Sequence, residues 1–397
     1  MNYFTIIQFV LSLGAALGLW GTAALFALIS VFGQGTAGGA ASLPLLMQAA
    51  GLAATGVMVL PSATTSLRAL QGKPLPVSYQ PFLKLNPIFL LAALAAVLGL
   101  GYAVSGSSLG WLVIPILHVL AVVLPVLFLL QLGLRGLPVG SPQRRSGVFG
   151  AGLVLGPLVI LLAELAALLA GVVVIVLVIA SQPDLIEQFQ KLAENLAEFQ
   201  GDPNALVDLL LPYLANPTVV ILVLLFVALI VPLIEELFKP IGVYLLAGRG
   251  ITPAAGFAAG ALSGAGFAIF ESLAMNGGGE DWLLAELARS GTAVIHILTT
   301  AMTGWALASA WRDRRFSRLV LTYACVVLLH GLWNGMTVMA LVSEVVLPGA
   351  EAPQWPGLQF FSVLSPVVLV SLTIGAFVVF LGMNLKLRRP VNASTME

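Results

Sequence analysis

Ten runs of apolar residues, each about 20 residues long or longer, leave this chain few ways to fold. A run of that length crosses a membrane as an α-helix, because lipid offers no partner for backbone N–H and C=O groups and a helix satisfies them internally. Only 9% of the residues are charged, compared with roughly 25% in an average soluble domain. The sequence therefore predicts an all-α, polytopic membrane bundle of about ten transmembrane helices, at roughly 4–32, 42–66, 87–107, 110–134, 148–180, 217–247, 252–276, 286–311, 317–342 and 357–385.

The positive charges indicate how these helices cross the membrane. Lys and Arg collect in cytoplasmic loops, and with a cytoplasmic N-terminus only Lys191 and Arg289 fall on the opposite side. We therefore expect an N-in, C-in, multi-pass protein of the cell membrane, with the lipid bilayer as its surroundings. The formal net charge is zero, so there is no reason to expect a nucleic-acid partner.

The two halves of the chain differ in their polar residues. The first five spans contain one carboxylate, Glu164, and one histidine, His118, and we interpret both as ordinary core residues. Spans six to nine hold all the other intramembrane ionisable groups. This contrast predicts an N-terminal transmembrane scaffold of about five spans at 1–181, an outer-face amphipathic segment at 182–216, a functional core at 217–342, and a last helix with a basic cytoplasmic tail at 343–397.

The stretch PLIEELFKP, residues 232–240, places charged groups at the end of an apolar run. A charge at the bilayer centre costs roughly 2.5–3.5 kcal/mol, so we expect Glu235, Glu236 and Lys239 to have a function. Lys239 follows the two glutamates by four and three residues and can pair with either one. Adjacent glutamates point about 100° apart on a helix, which predicts different roles for them. The flanking prolines each remove a backbone donor, so we also expect an irregular helix here.

Three further spans add polar groups to this set. Glu271 lies in the seventh span, His296 in the eighth, and His330 and Asn334 lie four residues apart on one face of the ninth. The seventh span also contains glycines at four-residue intervals, which predicts close approach to a neighbouring helix. Counted from the predicted span ends, the glutamate pair, the two histidines and Asn334 lie between the midplane and the outer leaflet. Glu271 lies nearer the outer surface, so we expect a shared cavity open to the outside.

Carboxylates, imidazoles and an amide with no clear nucleophile favour hydrolysis by an activated water. In one route a glutamate takes the proton of the water, and histidine and asparagine donors stabilise the oxyanion, without a cofactor. In the other route glutamate and histidine bind zinc, which lowers the pKa of its water to about 7. The sequence has no HExxH motif, and these residues leave both routes open.

Two other classes of function use the same kinds of residue. Buried Glu, His and Lys side chains also build the pathways of proton- or ion-coupled transporters. A scaffold that only binds a membrane partner is a third alternative. The lopsided distribution of charge and the absence of internal repeats favour hydrolysis over transport.

Four motifs on successive spans resemble, in order, the motif series of the PrsW-type intramembrane proteases: EELFK at 235–239, GFAIFE at 266–271, an isolated His296 and HGLWN at 330–334. The resemblance covers about 217–342. It implies a helical membrane fold and hydrolysis of a peptide bond. That family is similar to the CAAX prenyl protease and bacteriocin-processing (CPBP) superfamily. Glu271 stands where CAAX-type enzymes usually have histidine, and EExxK replaces their EExxxR, so both differences favour the PrsW branch.

The resemblance also implies roles for individual residues. One of the paired glutamates is the expected base, and the last histidine and asparagine are the expected oxyanion donors. PrsW proteins are described as making the first cut in membrane-anchored anti-sigma factors on the outer side. The implied partner is therefore a membrane-anchored, anti-sigma-factor-like protein cut near the outer leaflet. The implied catalytic set comprises Glu235, Glu236, Lys239, Glu271, His296, His330 and Asn334.

Overall fold

The computed structural model describes most of the chain, and within the described residues it is 89% helix and contains no strand. The predicted amphipathic segment at 182–216 lies outside these residues except at four positions, and residues 389–397 of the predicted tail lie outside them as well. The described residues are 3–32, 42–73, 85–107, 109–180, 217–275, 281–347 and 357–388, with the single positions Lys191, Glu194, Leu209 and Leu211.

Ten helical segments of the described chain are long and apolar enough to cross a membrane, which confirms the predicted class. The N-in, C-in orientation and the four predicted domains stay predictions. Two π-helical turns, Ala151–Leu155 and Phe226–Ile230, join α5 to α6 and α7 to α8. The helices are α1 (Tyr3–Phe32), α2 (Ser42–Leu70), α3 (Pro87–Val104), α4 (Gly110–Gly133), α5 (Pro142–Gly150), α6 (Gly156–Ala180), α7 (Pro217–Leu225), α8 (Val231–Phe238), α9 (Ile241–Tyr244), α10 (Pro253–Ala274), α11 (Trp282–Asp313), α12 (Phe316–Val346) and α13 (Leu358–Leu387).

The chain divides by its contacts into two units. Each unit has its own packing, and the division passes between the neighbouring glutamates of α8. Unit 1 comprises Met1–Leu158, Glu236–Val326 and Thr373–Glu397, and unit 2 comprises Val159–Glu235 and Val327–Leu372.

The centre of unit 1 is the pair of helices α10 and α11. In their most apolar stretches 78% and 89% of the residues are buried, compared with 17% in α1. These two helices also have the lowest mean hydropathy of the ten candidate spans, 1.4 each. A span surrounded by protein needs less apolar surface than one that faces lipid, so α10 and α11 can contain polar side chains.

Glycines on α10 allow α11 to approach closely, as the four-residue spacing predicted. A Cβ atom at Gly260 would lie 2.3 Å from the carbonyl oxygen of Thr300, and one at Gly264 would lie 2.7 Å from that of His296. Residues four and seven positions further along lie on the same helical face. The glycine face therefore continues into Glu271, which places this carboxylate beside the turn of α11 that carries His296.

Unit 2 has a separate apolar core at the end of α12. Within the same unit, Gly331 of α12 approaches the π-helical turn Phe226–Ile230 closely, since a Cβ atom at Gly331 would lie 2.2 Å from the carbonyl oxygen of Ala228. This contact brings the turn of α12 that contains His330 next to the backbone that leads into Glu235. The core residues are Val220, Met339, Val342, Val346 and Leu358.

Candidate active site

The irregular helix predicted around the prolines takes the form of a π-helical turn before Pro232. In such a turn a carbonyl bonds the N–H five residues ahead, and Val231 N–H bonds Phe226 in this way. The corresponding partner of Val227 would be Pro232, which has no N–H. Asn334 Nδ2 donates instead to the Val227 carbonyl oxygen at 3.0 Å. The predicted oxyanion donor thus holds the backbone that precedes the glutamate pair.

The other end of this segment is tied to α10. Helix α8 ends at Phe238, because Pro240 cannot donate to a carbonyl in the preceding turn. Two side-chain hydroxyls satisfy carbonyls that the helix end leaves open: Ser263 Oγ donates to Lys239 O at 2.6 Å, and Tyr244 Oη donates to Leu237 O at 2.7 Å. The position of Lys239 along α10 is therefore defined by its backbone as well as by its ammonium.

The adjacent glutamates have different partners, as their angular separation predicted. In unit 2, Glu235 Oε2 lies 3.8 Å from His330 Nε2. In unit 1, Glu236 Oε1 accepts hydrogen bonds from Lys239 Nζ at 2.8 Å and from Thr299 Oγ1 at 3.1 Å. All five side chains are buried. Of the two acids that Lys239 could reach by spacing, the structure pairs it with Glu236.

The imidazole of His296 is held on both sides by charged groups. Lys239 Nζ lies 2.8 Å from His296 Nδ1, and an ammonium can only donate, so Nδ1 is the acceptor. The other nitrogen, Nε2, then carries the proton and lies 2.6 Å from Glu271 Oε2. The Phe267 ring packs edge-on against the imidazole, with 5.2 Å between the ring centroids. These contacts define both the tautomer and the orientation of His296.

Arg289 completes this network and was not among the predicted site residues. Its Nη2 lies 3.2 Å from Glu271 Oε1, and its Nε donates to Ser272 Oγ at 3.2 Å. The sequence carried one signal for it, since Arg289 is an exception to the positive-inside pattern. With Lys239 and Arg289 opposite Glu236 and Glu271, and with His296 neutral, the charges of the network balance. The fully buried pair of Lys239 and Glu236 thereby avoids the large cost of an isolated charge.

The seven predicted catalytic residues are thus placed as two sets. Asn334 is half-buried and its side chain bonds a backbone carbonyl. The side chains of the other six residues contact charged or titratable side chains. Their catalytic roles stay predictions. Unit 1 brings together Glu236, Lys239, Glu271 and His296, and unit 2 brings together Glu235 and His330.

A further buried ion pair lies outside both sets and corrects one sequence-based expectation. The eighth span was predicted to begin at residue 286, but α11 begins four residues earlier, at Trp282, and only 2% of Glu286 is exposed. Its Oε1 atom lies 2.5 Å from Nδ1 of His118 in α4. His118 is a core residue, as expected, and Glu286 is the partner that its burial requires.

A family model described as "PrsW family intramembrane metalloprotease" matches residues 148–373, which is more than half of the chain. This match extends beyond the motif-bearing region 217–342 at both ends. Neither a curated protein nor a solved structure matches the chain.

Proposed function

Because the chain belongs to the PrsW family of intramembrane metalloproteases, we propose that it is a zinc-dependent endopeptidase that cuts membrane-anchored proteins. Peptide-bond hydrolysis by a multi-pass membrane protein follows from membership of the family and from its ten candidate spans. The metal, the roles of the residues and the substrate are our proposal. The link to the CAAX prenyl protease superfamily stays a prediction.

One distance in unit 2 favours a metal-dependent mechanism over the cofactor-free route. Glu235 Oε2 and His330 Nε2 are 3.8 Å apart, which is longer than the roughly 3.2 Å limit of a good hydrogen bond. Two ligand atoms about 2.0–2.2 Å from one tetrahedral zinc lie about 3.4–3.6 Å apart, and a modest opening of the angle between them accommodates the observed separation. Carboxylate oxygen and imidazole nitrogen are both good zinc ligands. The pair therefore fits a zinc ion, and the family description favours the same route.

A catalytic zinc usually has three protein ligands and one open position. We assign Glu235 and His330 as two of these ligands. In this proposal His330 is a ligand rather than an oxyanion donor.

When bound, zinc would lower the pKa of a water molecule to about 7 and polarise the scissile carbonyl. Glu236 is the general base in this proposal. The Lys239 ammonium favours its ionised form, and Thr299 orients the same oxygen atom. Glu236 takes a proton from the attacking water and returns it to the leaving amine. Asn334 acts as a positioning residue, because its amide holds the Val227 carbonyl in the turn before the glutamates.

The proposed substrate is a membrane-anchored protein, such as an anti-sigma factor, cut near the outer leaflet. Two sequence arguments support it: the resemblance to proteases with such substrates, and the predicted depth of the polar set.

The test combines cleavage with metal content. Purified protein in liposomes is incubated with tagged single-pass membrane proteins, and its zinc is counted by mass spectrometry. We expect Glu235→Gln and His330→Ala to lose zinc and cleavage. Glu236→Gln should keep zinc and cut about 10²–10⁴-fold more slowly. Glu344→Gln is the matched control, since this exposed carboxylate lies on α12 outside both sets.

The outcomes separate the remaining alternatives. Cleavage that disappears with a chelator and returns with zinc supports the metal route. Full cleavage by zinc-free wild-type protein, lost only in the glutamine variants, would show that a glutamate alone activates the water. Proton flux across the liposome membrane without any cleavage would instead favour the transporter.

A further inference from the structure

A polar cavity of about 700 Å³ lies in unit 1 and is lined by none of the residues proposed for catalysis. Two arginines, Arg144 and Arg249, line it together with the aromatic side chains of Phe4 and Tyr244 and the exposed Leu245. The cavity therefore combines positive charge with apolar surface, which is the combination that an amphiphilic anion requires.

Three span ends place this cavity at the level of the lipid headgroups. Phe4 lies in the first turn of α1, Arg144 in the first turn of the span Pro142–Val173, and Tyr244 at the last residue of the span Thr218–Tyr244. The ends of spans lie where the hydrocarbon core meets the headgroup region. In the predicted orientation all three ends are cytoplasmic, where the leaflet carries anionic lipid.

The local backbone shapes both arginine positions. Arg249 stands between Gly248 and Gly250, whose φ angles of 74° and 62° are in the left-handed region that favours glycine. The Arg144 side chain passes over Gly140, where a Cβ atom would lie 2.8 Å from Arg144 Cδ. The glycines thus permit the backbone turn that carries Arg249, and Gly140 leaves space for the Arg144 side chain.

Within the described residues, the positive charge of the cavity has no carboxylate opposite it. Among the residues that the structure describes, no carboxylate forms an ion pair with Arg144 or Arg249. The Arg249 guanidinium instead lies 5.7 Å from the centroid of the Phe4 ring. A guanidinium group has the planar, forked donors that match phosphate oxygens. An anion is therefore the ligand that would complete the site.

We propose that this cavity binds the phosphate headgroup of an anionic phospholipid. Arg144 and Arg249 bind the phosphate oxygens, while Phe4 and Leu245 contact the glycerol and the first carbons of the acyl chains. The apolar part of the lining and its level in the membrane favour a lipid over free phosphate. Basic pockets between transmembrane helices on the cytoplasmic side bind such headgroups in general.

The test measures the thermal unfolding of the full-length protein in an uncharged detergent. Phosphatidylglycerol, phosphatidylcholine with the same acyl chains, and inorganic phosphate are added separately. We expect phosphatidylglycerol alone to raise Tm, by at least about 2 °C. The variant Arg144→Gln/Arg249→Gln should lose most of this increase, and Arg144→Lys/Arg249→Lys should retain much of it. The matched control, Arg312→Gln/Arg315→Gln, removes two exposed arginines of the same predicted face and should respond like wild type.

A second measurement does not depend on the stability of the double variant. Arg249 is exposed, so Arg249→Gln alone should fold, and native mass spectrometry should show at least about fivefold weaker retention of phosphatidylglycerol, as expected for a lost charge-assisted bond. Equal retention by wild type and Arg249→Gln would overturn the proposal. An equal rise in Tm with phosphatidylcholine, or with inorganic phosphate, would overturn it as well.

Discussion

The ammonium of Lys239 lies 2.8 Å from Oε1 of Glu236, and neither side chain is exposed. The two residues are three positions apart, and each has a second partner in unit 1: His296 for Lys239 and Thr299 for Glu236. Since a buried charge is strongly destabilising unless it is paired, this relationship explains how a carboxylate can stay ionised within a membrane span. It also explains why the proposed general base is Glu236.

The Lys239–Glu236 pair predicts strong coupling between the two positions. Lys239→Met leaves a buried carboxylate without its cation, so we expect the free energy of unfolding to fall by about 3–5 kcal/mol. Lys239→Met/Glu236→Gln should recover a large part of this loss but none of the cleavage. Chemical denaturation in detergent measures these two variants and the single variant Glu236→Gln. If the two single effects simply add in the double variant, the pair is not energetically coupled.

The glycine face of α10 predicts that one added methyl group disturbs unit 1. Gly260→Ala places a Cβ atom 2.3 Å from the carbonyl of Thr300, and such overpacking costs about 1–3 kcal/mol. Cleavage should fall as well, because the same turns of α11 carry Thr299. Gly375→Ala is the control, since no atom lies within 4 Å of its added Cβ. Equal thermal stability of the two variants would refute the close approach.

Substitution of Arg289 is predicted to lower the rate of cleavage more than the stability of the fold. The Arg289 and Glu271 side chains are 16% and 22% exposed, and an ion pair near solvent contributes only about 0–1 kcal/mol. Arg289→Gln loosens the carboxylate that orients His296, so we expect kcat to fall about tenfold with little change in KM. Arg289→Lys should restore part of kcat. Arg312→Gln, on the same helix, is the control, and an unchanged kcat for Arg289→Gln would exclude a positioning role.

The His118–Glu286 pair is predicted to be structural. His118→Leu removes the partner of a buried acid, so the free energy of unfolding should fall by about 1–3 kcal/mol. The cleavage rate per folded molecule should not change. His118→Leu/Glu286→Leu should be closer to wild type in stability, because two apolar side chains leave no buried charge. A reduced rate in a fully folded variant would instead connect this pair to catalysis.

Substitution of Asn334 tests whether this residue positions the backbone or stabilises the oxyanion. Asn334→Leu loses the donor to the Val227 carbonyl, which should lower the free energy of unfolding by about 1–3 kcal/mol. We expect kcat to fall by less than about tenfold, since an oxyanion donor would account for about 10²–10³-fold. Thr337→Val is the control, because its hydroxyl bonds only the Trp333 carbonyl of its own helix. A loss of 10²-fold or more at unchanged stability would restore the oxyanion role.

Several features of this protein followed from the sequence alone. The all-α membrane class follows because runs of that length and apolarity are compatible with lipid only as spans that satisfy their own backbone. The spacing GxxxG predicted the contact of Gly260 with the neighbouring helix, since residues four apart share a face. The motifs EELFK and HGLWN indicated the family, because the types and order of their residues are specific.

Other features required the tertiary structure. Spacing allowed Lys239 to pair with Glu235 or Glu236, and only packing against α11 brought Thr299 to the second of these. Glu286 and His118 are 168 residues apart, and no sequence signal in either segment predicts that they pair. Helical periodicity predicts which residues share one face of a helix. It does not predict which face of a neighbouring helix packs against that face. The packing of the helices and the rotamers that it permits decide that question, and with it the partner of each buried charge.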